Sequence, residues 1–536
     1  MLQRGWLVLS LGCFAGLAAC DGDDSDDSAT PEAGSGSSGT GGKSSGGNAG
    51  KTAAGASGAG KGASGSSAGT GGKGTTTAGN SAGGSGGAGG SGALGKRAQD
   101  DRTFTIDEAT VGFDALPAPT VDTDRYSGVL DGAGYRIEVP KNWNGVLVMY
   151  AHGYVGPGPA LRITTPSIRR YLVEQGYAWA ASSYTKNYYD VRVGVEDTNK
   201  LALAFKRLVG EKGRTVDEPS KRYIIGHSMG GHITAAAIED EAEATASNKV
   251  EYAAAMPMCG VTGDTTLFNY FAAYQFAAQK LAGTPVAMNA TDFMAVRMQT
   301  QDALFSVYPT QTTELGAKIK TIVENLTGGA RPGFEPGFSS KQWQDAVWGT
   351  FGGDGTVNGI LDRSVIDTRD VVYQLDNDAA QSDDEKKFNA EVVRSTPASG
   401  ANDLRTDGLR WVPKVNGEFN IPVLTLHTLG DLYVPFMQEQ VYREHATTKG
   451  NSDRLVQRAI RGVGHCEFTY VEQVDAFAAL VKWEKEGTKP EGDDVLDKGK
   501  IAASDYGCKF TKNEYNADEQ AAGALGTSRA LIPACP

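Results

Sequence analysis

From about residue 130 onward, short apolar runs alternate with amphipathic segments along the chain. Several of the runs are apolar throughout, as in residues 145–151 (GVLVMYA). Continuous apolar runs of this length are typical of strands buried on both faces of a sheet. The runs that predict strands are residues 135–139, 145–151, 177–183, 222–226, 252–258, 422–427 and 455–460.

The segments between these runs have the spacing of amphipathic helices. They are residues 168–175, 196–209, 229–243, 436–447 and 468–486. Strands that alternate with helices predict an α/β fold, with a mainly parallel sheet and helices on both faces. In such sheets ligands bind at the carboxyl ends of the strands, so the residues just after each run are the first candidates for chemistry.

One connection, from residue 259 to 421, is much longer than the others. Within it we expect helices at residues 267–281, 317–326 and 343–348. The aromatic residues of 267–281 fit either the core of an inserted unit or an apolar wall for a substrate, and the sequence leaves both open. The acidic residues of 376–387 predict a solvated face.

The amino-terminal part of the chain has a different composition. Residues 21–93 contain no Val, Ile, Leu, Met or aromatic residue, and Gly, Ser, Ala and Thr dominate. Such a stretch cannot bury enough apolar surface to offset its ordering entropy, so we expect a disordered tether over residues 20–97. Residues 1–19 have the basic start and short apolar run of a secretory signal.

The signal ends in Leu17-Ala18-Ala19-Cys20. This sequence resembles the lipobox of bacterial lipoproteins. The resemblance implies cleavage before Cys20, lipidation of that residue, and a location in the cell envelope with the folded part outside the cytoplasm. The alternative is an ordinary signal peptide with an incidental cysteine. The sequence does not distinguish inner from outer membrane.

Charge limits the partners of the folded part. The 536 residues carry a formal net charge of −13, and the isoelectric point is about 5.1. Nucleic-acid binding requires clustered Lys and Arg, so the composition argues against that partner. It argues equally against electrostatic adhesion to anionic lipid.

A serine lies between a predicted strand and a predicted helix, in Gly226-His227-Ser228-Met229-Gly230. Glycines on both sides allow the sharp turn that exposes such a serine. With its strand before and its small-residue helix after, the pentapeptide resembles the nucleophile elbow of the α/β-hydrolase superfamily. The resemblance implies a serine hydrolase of the esterase or lipase type, with an α/β-hydrolase fold, a large cap insertion and no cofactor.

The run 145–151 is followed by His152-Gly153-Tyr154, which is similar to the oxyanion loop of the same superfamily. The resemblance implies that the backbone amides of Tyr154 and Met229 stabilise the oxyanion of the reaction. A plain turn is the alternative.

Two further strand ends supply the partners that a serine nucleophile needs, a histidine base and a carboxylate that orients it. Asp431 follows the run 422–427, and His465 follows the last run. The order Ser228, Asp431, His465 is that of the superfamily. Asp264 and Asp354 are competing acids, but neither follows a strand just before the His465 motif.

The other histidines are assigned less direct roles. His152 and His227 belong to the oxyanion loop and the elbow, and His232 and His445 fall on helices, where a surface or satisfied core position is expected. His427 could lie beside Asp431, although a buried structural role is the better interpretation.

Four of the six cysteines remain after processing, namely Cys259, Cys466, Cys508 and Cys535. An even number in an oxidising compartment favours disulfides. Three pairings are possible, and we favour Cys259–Cys466 with Cys508–Cys535; free thiols are the alternative. The sequence has no paired C-x-x-C and no H-E-x-x-H, so no metal site is predicted.

The sequence therefore predicts a hydrolase core in two parts, 98–262 and 419–536, with a cap or lid insertion at 263–418. The expected function is hydrolysis of carboxylic esters, small or lipid-like, by a lipid-anchored enzyme. A peptidase of aminopeptidase type is the first alternative, in which acidic residues of 376–385 would hold a substrate amine. A non-catalytic binding protein of the same fold is the second.

Overall fold

The computed structural model describes residues 97–378, 380–515 and 522–536. The predicted signal, Cys20 and nearly all of the tether lie outside the described residues, and the statements about them remain predictions. Among the described residues, no helix combines the length and apolar character needed to cross a bilayer.

Within the described ranges, eight strands form one sheet, and a short hairpin adds two more. The strands are β1 (Thr123–Leu130), β2 (Ala133–Pro140), β3 (Val146–Ala151), β4 (Ala178–Ser182), β5 (Lys221–His227), β6 (Ala254–Met258), β7 (Phe305–Val307), β8 (Gln311–Thr312), β9 (Val423–Thr428) and β10 (Leu455–Ile460). The order in the large sheet is β1-β2-β4-β3-β5-β6-β9-β10, and β7 pairs with β8.

The sheet is mainly parallel, as predicted. The six strands β4, β3, β5, β6, β9 and β10, in their order across the sheet, are parallel to one another. Strand β2 is antiparallel to both β1 and β4. This α/β arrangement, with one antiparallel strand near an edge, is the α/β-hydrolase fold implied by the sequence. The carboxyl ends of β3, β5, β6, β9 and β10 therefore share one edge of the sheet.

Fourteen α-helices connect or follow the described strands. They are α1 (Arg169–Glu174), α2 (Val191–Glu211), α3 (Met229–Ala236), α4 (Asp240–Thr245), α5 (Thr266–Ala282), α6 (Ala290–Leu304), α7 (Glu314–Leu326), α8 (Phe334–Phe338), α9 (Lys341–Trp348), α10 (Asp383–Glu391), α11 (Met437–Thr448), α12 (Tyr470–Glu486), α13 (Lys498–Ile501) and α14 (Ala522–Arg529). Short 3₁₀ helices lie at Ala98–Asp101, Glu108–Thr110 and Ser452–Arg454.

Helices cover both faces of the sheet. Residues of α1 and α12, such as Leu172 and Phe477, form a buried cluster on one face. On the other face, Phe205 of α2 and Ile233 of α3 share a cluster with insertion residues such as Phe276 and Trp348. Most aromatic residues of α5 are therefore buried, in a cluster that the insertion shares with the sheet and its helices.

The helix predicted at 229–243 is wrong in its extent, because the chain breaks into α3 and α4. The break centres on Glu239, whose backbone is extended (φ −76°, ψ 144°). Its buried carboxylate accepts hydrogen bonds from the amides of Gly417 and Glu418. Burial raises the pKa of Glu239 to about 8, against the opposing effect of these amides. A tertiary contact thus interrupts a segment whose sequence is helical throughout.

Several described elements were not predicted, among them β1, α6 and the short elements β7, β8, α8, α10, α13 and α14. Tyr126 is the one buried side chain of β1, and α6 buries only Phe293, Thr300 and Leu304. The acidic stretch 376–387 is mostly exposed, as expected, with Glu385 as the exception. Glu385 is buried because its carboxylate caps α10, accepting hydrogen bonds from the Ser382 and Leu375 amides.

Candidate active site

Ser228 lies on a tight turn between β5 and α3. Its backbone has φ 56° and ψ −120°, a conformation that L-residues rarely adopt. The neighbouring glycines leave no space for a side chain. A Cβ on Gly226 would lie 2.3 Å from the carbonyl oxygen of Gly230, and one on Gly230 would lie 2.0 Å from that of Ala151. Close backbone packing therefore fixes the elbow.

Hydrogen bonds connect Ser228, His465 and Asp431. His465 Nε2 lies 2.7 Å from Ser228 Oγ, and His465 Nδ1 lies 2.6 Å from Asp431 Oδ2. A carboxylate can only accept, so Nδ1–H donates to Asp431 and Nε2 is free to accept the proton of Ser228. The three residues come from the carboxyl ends of β5, β9 and β10, the edge that the sequence indicated.

Asp431 is held by its own turn. It is fully buried, and its Oδ1 accepts hydrogen bonds of 2.9 Å from the amides of Tyr433 and Val434. The competing acids lie elsewhere. Asp264 accepts hydrogen bonds from Thr265 and from the Val415 amide, and exposed Asp354 bonds with Thr356.

The two predicted oxyanion donors lie at suitable places. Met229 is the first residue of α3, where the amide has no acceptor within the helix and the helix dipole favours negative charge. Gly153 lies directly against the nucleophile, since its ideal Cβ is 3.3 Å from Ser228 Cβ and 3.9 Å from Ser228 Oγ. Tyr154 is the next residue along this loop.

A network with the carboxyl-terminal segment supports the loop that carries His465. Glu467 accepts a hydrogen bond of 2.9 Å from the Val463 amide and one from the Ser528 hydroxyl. Arg529 forms a buried ion pair with Glu472 at 2.7 Å and also donates to the carbonyl of Glu467. Nothing in the local sequence indicated this support, because its two sides are far apart in the chain.

Both favoured disulfides are present. Cys259–Cys466, with Cα atoms 5.3 Å apart, ties the end of β6 to the residue that follows His465. Cys508–Cys535 secures the carboxyl-terminal segment. The sulfurs of Cys259 and Cys466 lie within 4.8 Å of a His465 nitrogen, but sulfurs joined in a disulfide are not the thiolates that bind metals.

Aromatic side chains that the sequence did not assign to the site surround His465. Trp343 of α9 and Tyr433 both meet the His465 ring edge-on, at centroid distances of 5.9 Å. Phe271 of α5 lies 5.7 Å from Tyr433. Burial, together with the charge of Asp431, raises the pKa of Tyr433 to about 12, so its hydroxyl stays neutral. Trp343 of the insertion and Tyr433 of the core thus place aromatic rings beside the base.

The remaining histidines fill structural positions. His227 lies 3.3 Å from the Tyr150 hydroxyl and 3.0 Å from Gln473 Oε1. His232 of α3 is buried between the Tyr189 hydroxyl and the carbonyl of Pro413. On α11, His445 bonds to a backbone carbonyl. A surface or satisfied core position was expected for His232 and His445; His232 is buried and His445 is half-buried.

Comparison with known proteins gives distant similarities. No family model matches the chain. The chain is 22% identical over 441 residues to o-phthalyl amidase of Xanthobacter agilis. The aligned region covers 71% of this chain and 93% of that protein.

Among solved structures, the chain resembles feruloyl esterase B from Aspergillus oryzae (TM-score 0.36, 15% identity, 68% of this chain and 80% of that one). It also resembles the Pyrococcus horikoshii acylaminoacyl peptidase (TM-score 0.34, 11% identity, 70% and 44%). At these TM-scores the structural similarities carry no argument about substrate. The fold, the site and the amidase similarity together make the chain a hydrolase with the α/β-hydrolase fold.

Proposed function

We propose that this protein cleaves carboxylic esters through an acyl-enzyme on Ser228. The observation that carries the proposal is the unbroken hydrogen-bond chain from Ser228 Oγ through the His465 ring to buried Asp431. A serine hydroxyl becomes an effective nucleophile only when a neutral imidazole accepts its proton and a carboxylate stabilises the imidazolium that forms.

In the acylation step, Ser228 Oγ attacks the carbonyl carbon of the ester while its proton passes to His465 Nε2. The carbonyl oxygen becomes an oxyanion, for which the amides of Met229 and Tyr154 are the proposed donors. Each such donor contributes roughly 10²–10³ in rate in other enzymes. His465 then gives its proton to the leaving alcohol, and the acyl group remains on Ser228.

In the second step, water gives its proton to His465 Nε2 and attacks the acyl-enzyme carbonyl. Collapse of the intermediate breaks the bond to Ser228 Oγ, which regains a proton from His465. The carboxylic acid leaves. Asp431 keeps its negative charge throughout, because two backbone amides and His465 Nδ1–H all donate to it.

The neighbours of His465 favour substrates with apolar or aromatic groups. Trp343, Tyr433 and Phe271 offer ring faces and edges and no ionised side chain. Burying an aromatic group of the substrate against such rings is favourable in itself, and aromatic pairs add about 0.5–1.5 kcal/mol.

Amide cleavage is a second candidate, because the chain is similar in sequence to o-phthalyl amidase. The same residues would act, with His465 protonating a leaving amine in place of an alcohol. Aromatic acyl amides are the substrates to compare with esters of the same acyl group.

The aminopeptidase alternative receives less support. It needs acidic side chains that hold a substrate amine, and 376–385 was the proposed source. Glu385 instead caps its own helix, and Asp378, Asp383 and Asp384 are exposed to solvent. We therefore prefer ester or aromatic amide substrates, and prefer catalysis to a purely binding role.

We also propose that the enzyme is anchored through a lipid on Cys20 and acts in the cell envelope. Two or three acyl chains hold a protein stably on a membrane, whereas one chain binds only marginally. The test is the mass of the amino-terminal peptide from membranes, together with fractionation of Cys20→Ser. Release of that variant to the soluble fraction is expected, and equal fractionation of both proteins would contradict the anchor.

The activity test compares one acyl group in two linkages. The full chain is assayed with p-nitrophenyl acetate, butyrate, octanoate and benzoate, and with benzoyl p-nitroanilide. We expect hydrolysis of the benzoate ester by the wild-type protein. Ser228→Ala should lose this turnover, whereas Ser220→Ala should keep it. Ser220 is exposed and donates to the carbonyl of Gly145 at the far end of β5. Equal ester turnover in Ser228→Ala would reject the nucleophile, and turnover of the anilide alone would favour the amidase.

A further inference from the structure

We propose that His427 is a positioning residue of this reaction, a buried imidazolium that holds the Asp431 turn and weakens the attraction between Asp431 and charged His465. The inference rests on the function proposed above. His427 is the fifth residue of β9 and is fully buried.

Both nitrogens of the His427 ring face acceptors. Nε2 lies 2.8 Å from the carbonyl oxygen of Val434, and Nδ1 lies 3.2 Å from Glu439 Oε1. A carbonyl can only accept, and an ionised carboxylate can only accept. Beside an ionised Glu439, each nitrogen therefore carries a proton, which is the imidazolium form.

The surrounding charges support this form. Burial alone lowers the pKa of His427, but the hydrogen bond and charge of Glu439, followed by the charge of Asp431, outweigh burial and raise it above its ordinary value. Glu439 is itself fixed as an acceptor, because the Thr425 hydroxyl and the Gln457 amide both donate to its Oε2.

Other charged groups face this cluster from neighbouring elements. Arg331, from the insertion, donates a hydrogen bond to the carbonyl of Leu429, and its charge attracts that of Asp431. The charge of Arg443, on α11, attracts that of Glu439. On the opposite side of Asp431 is His465. Charged His427 thus lies between two carboxylates, Asp431 and Glu439, each of which an arginine also faces.

The positioning effect acts through a single residue of the turn. Val434 donates its amide to Asp431 Oδ1 at 2.9 Å, and its carbonyl accepts from His427 Nε2. His427 thus anchors the residue that orients the acid. Since Glu439 belongs to α11, the same contact joins β9, the turn and the following helix.

The electrostatic effect follows from a short distance. His427 Nε2 lies 3.9 Å from Asp431 Oδ2, the same oxygen that binds His465 Nδ1. A positive charge there disfavours a second positive charge on His465. Without that charge, the attraction between Asp431 and a protonated His465 would be stronger.

His232 provides a matched control. It is also fully buried and has two hydrogen-bond partners, the Tyr189 hydroxyl and the Pro413 carbonyl, each at 2.8 Å. A neutral His232 ring satisfies both partners, because Nε2–H donates to the carbonyl and Nδ1 accepts from the hydroxyl. Burial also lowers the pKa of His232. His232→Gln changes the side-chain volume as His427→Gln does, and it affects the same number of hydrogen bonds. It does not remove a charge.

The experiment measures the rate of inactivation by a fluorophosphonate between pH 5 and 9, on the full chain, so that no substrate need be known. In His427→Gln the acid limb of the profile is expected to move to higher pH by roughly half to one unit. Glu439→Gln keeps a hydrogen-bond partner for His427 but removes the anion. The acid limb of its profile should also move to higher pH, but less than in His427→Gln. His232→Gln should leave it unmoved. A slower rate with an unmoved limb in His427→Gln would overturn the electrostatic part.

Ring ¹⁵N NMR of the wild-type protein decides the charge state directly, even if the variants fail to fold. We expect the doubly protonated pattern for His427 at pH 7, and a neutral ring at that pH would overturn the proposal. This measurement is independent of Ser228. A protein that resists the fluorophosphonate at every pH but shows a charged His427 would reject the proposed function without rejecting the imidazolium.

Discussion

The hydrolase core and the long insertion both reach His465, but they do so by different means. The core places Ser228, Asp431 and His465 at three strand ends, where strand spacing and close glycine contacts set the distances. The insertion contributes Trp343 from α9, a helix that follows other helices and a hairpin. Side-chain contacts set the position of α9, among them the hydrogen bonds of Gln344 with the Tyr274 hydroxyl and the Phe338 carbonyl.

This difference suggests that the core determines whether the reaction occurs, and that the insertion determines which substrate is preferred. Backbone contacts between α3 and the sheet tolerate almost no change, since a Cβ on Gly230 would lie 2.0 Å from the carbonyl oxygen of Ala151. Packed aromatic rings exchange more easily for others of similar volume. We therefore expect core substitutions to abolish activity and insertion substitutions beside the site to change which substrate is preferred.

The largest effect is expected for the core acid. Asp431→Asn should lower kcat by about 10⁴-fold, because the amide cannot stabilise the imidazolium and favours the wrong His465 tautomer. Asp354→Asn, in the insertion, is the control and should retain wild-type kcat, since Asp354 is an exposed turn residue. The measurement is ester turnover under saturating substrate. Similar losses in both variants would contradict the assignment of the acid.

Removal of each disulfide should have a different effect on the stability of the protein and on its activity. Cys259–Cys466 closes a separation of 207 residues and Cys508–Cys535 one of 27. The chain-entropy relation gives about 5 and about 3.5 kcal/mol respectively. Cys466→Ser should therefore lower the denaturation midpoint more than Cys535→Ser, and should also reduce turnover because the cystine adjoins His465. Equal losses of activity in the two variants would indicate that the first disulfide has no special relation to the site.

Two tryptophans of α9 separate packing from selectivity. Trp348 is buried among Tyr274, Phe293 and Phe351, so Trp348→Ala should cost about 3–5 kcal/mol of the free energy of unfolding. Trp343→Ala should cost less and should change the ratio of benzoate to acetate hydrolysis. Denaturant titration and paired kcat/KM values test this, and an unchanged ratio in Trp343→Ala would argue against the aromatic wall.

The smallest effect is expected on the acidic face of the insertion. Asp383→Asn and Asp384→Asn alter exposed residues in the first turn of α10. Each should change the free energy of unfolding by about 0.5 kcal/mol or less. Turnover should not change. A marked rise in KM for substrates with a free amine would instead revive the peptidase.

The same contrast explains what sequence reasoning could and could not predict. The buried strands were predictable because continuous apolar runs mark them, and the site residues follow from their positions after those runs. Strand β1 was missed because only Tyr126 is buried, so its pattern of burial leaves little periodic signal. The break at Glu239 was missed because its cause, the turn at residues 417 and 418, is remote in sequence.

The same holds around the site. Ser228, Asp431 and His465 each carry a local motif, but Trp343 and the support from Arg529 do not. His427 was visible at the end of a strand, yet its two acceptors become evident only when the turn and α11 are folded against it. Contacts of that kind depend on tertiary packing, for which a single sequence contains no local pattern.

The central claim is that Ser228 is the nucleophile, and covalent labelling tests it most directly. The full chain is treated with a fluorophosphonate, digested, and analysed by mass spectrometry. The proposed mechanism predicts one adduct, on the peptide that contains Ser228, absent from Ser228→Ala and strongly reduced in His465→Gln. An adduct on another serine, or equal labelling of Ser228→Ala, would contradict it.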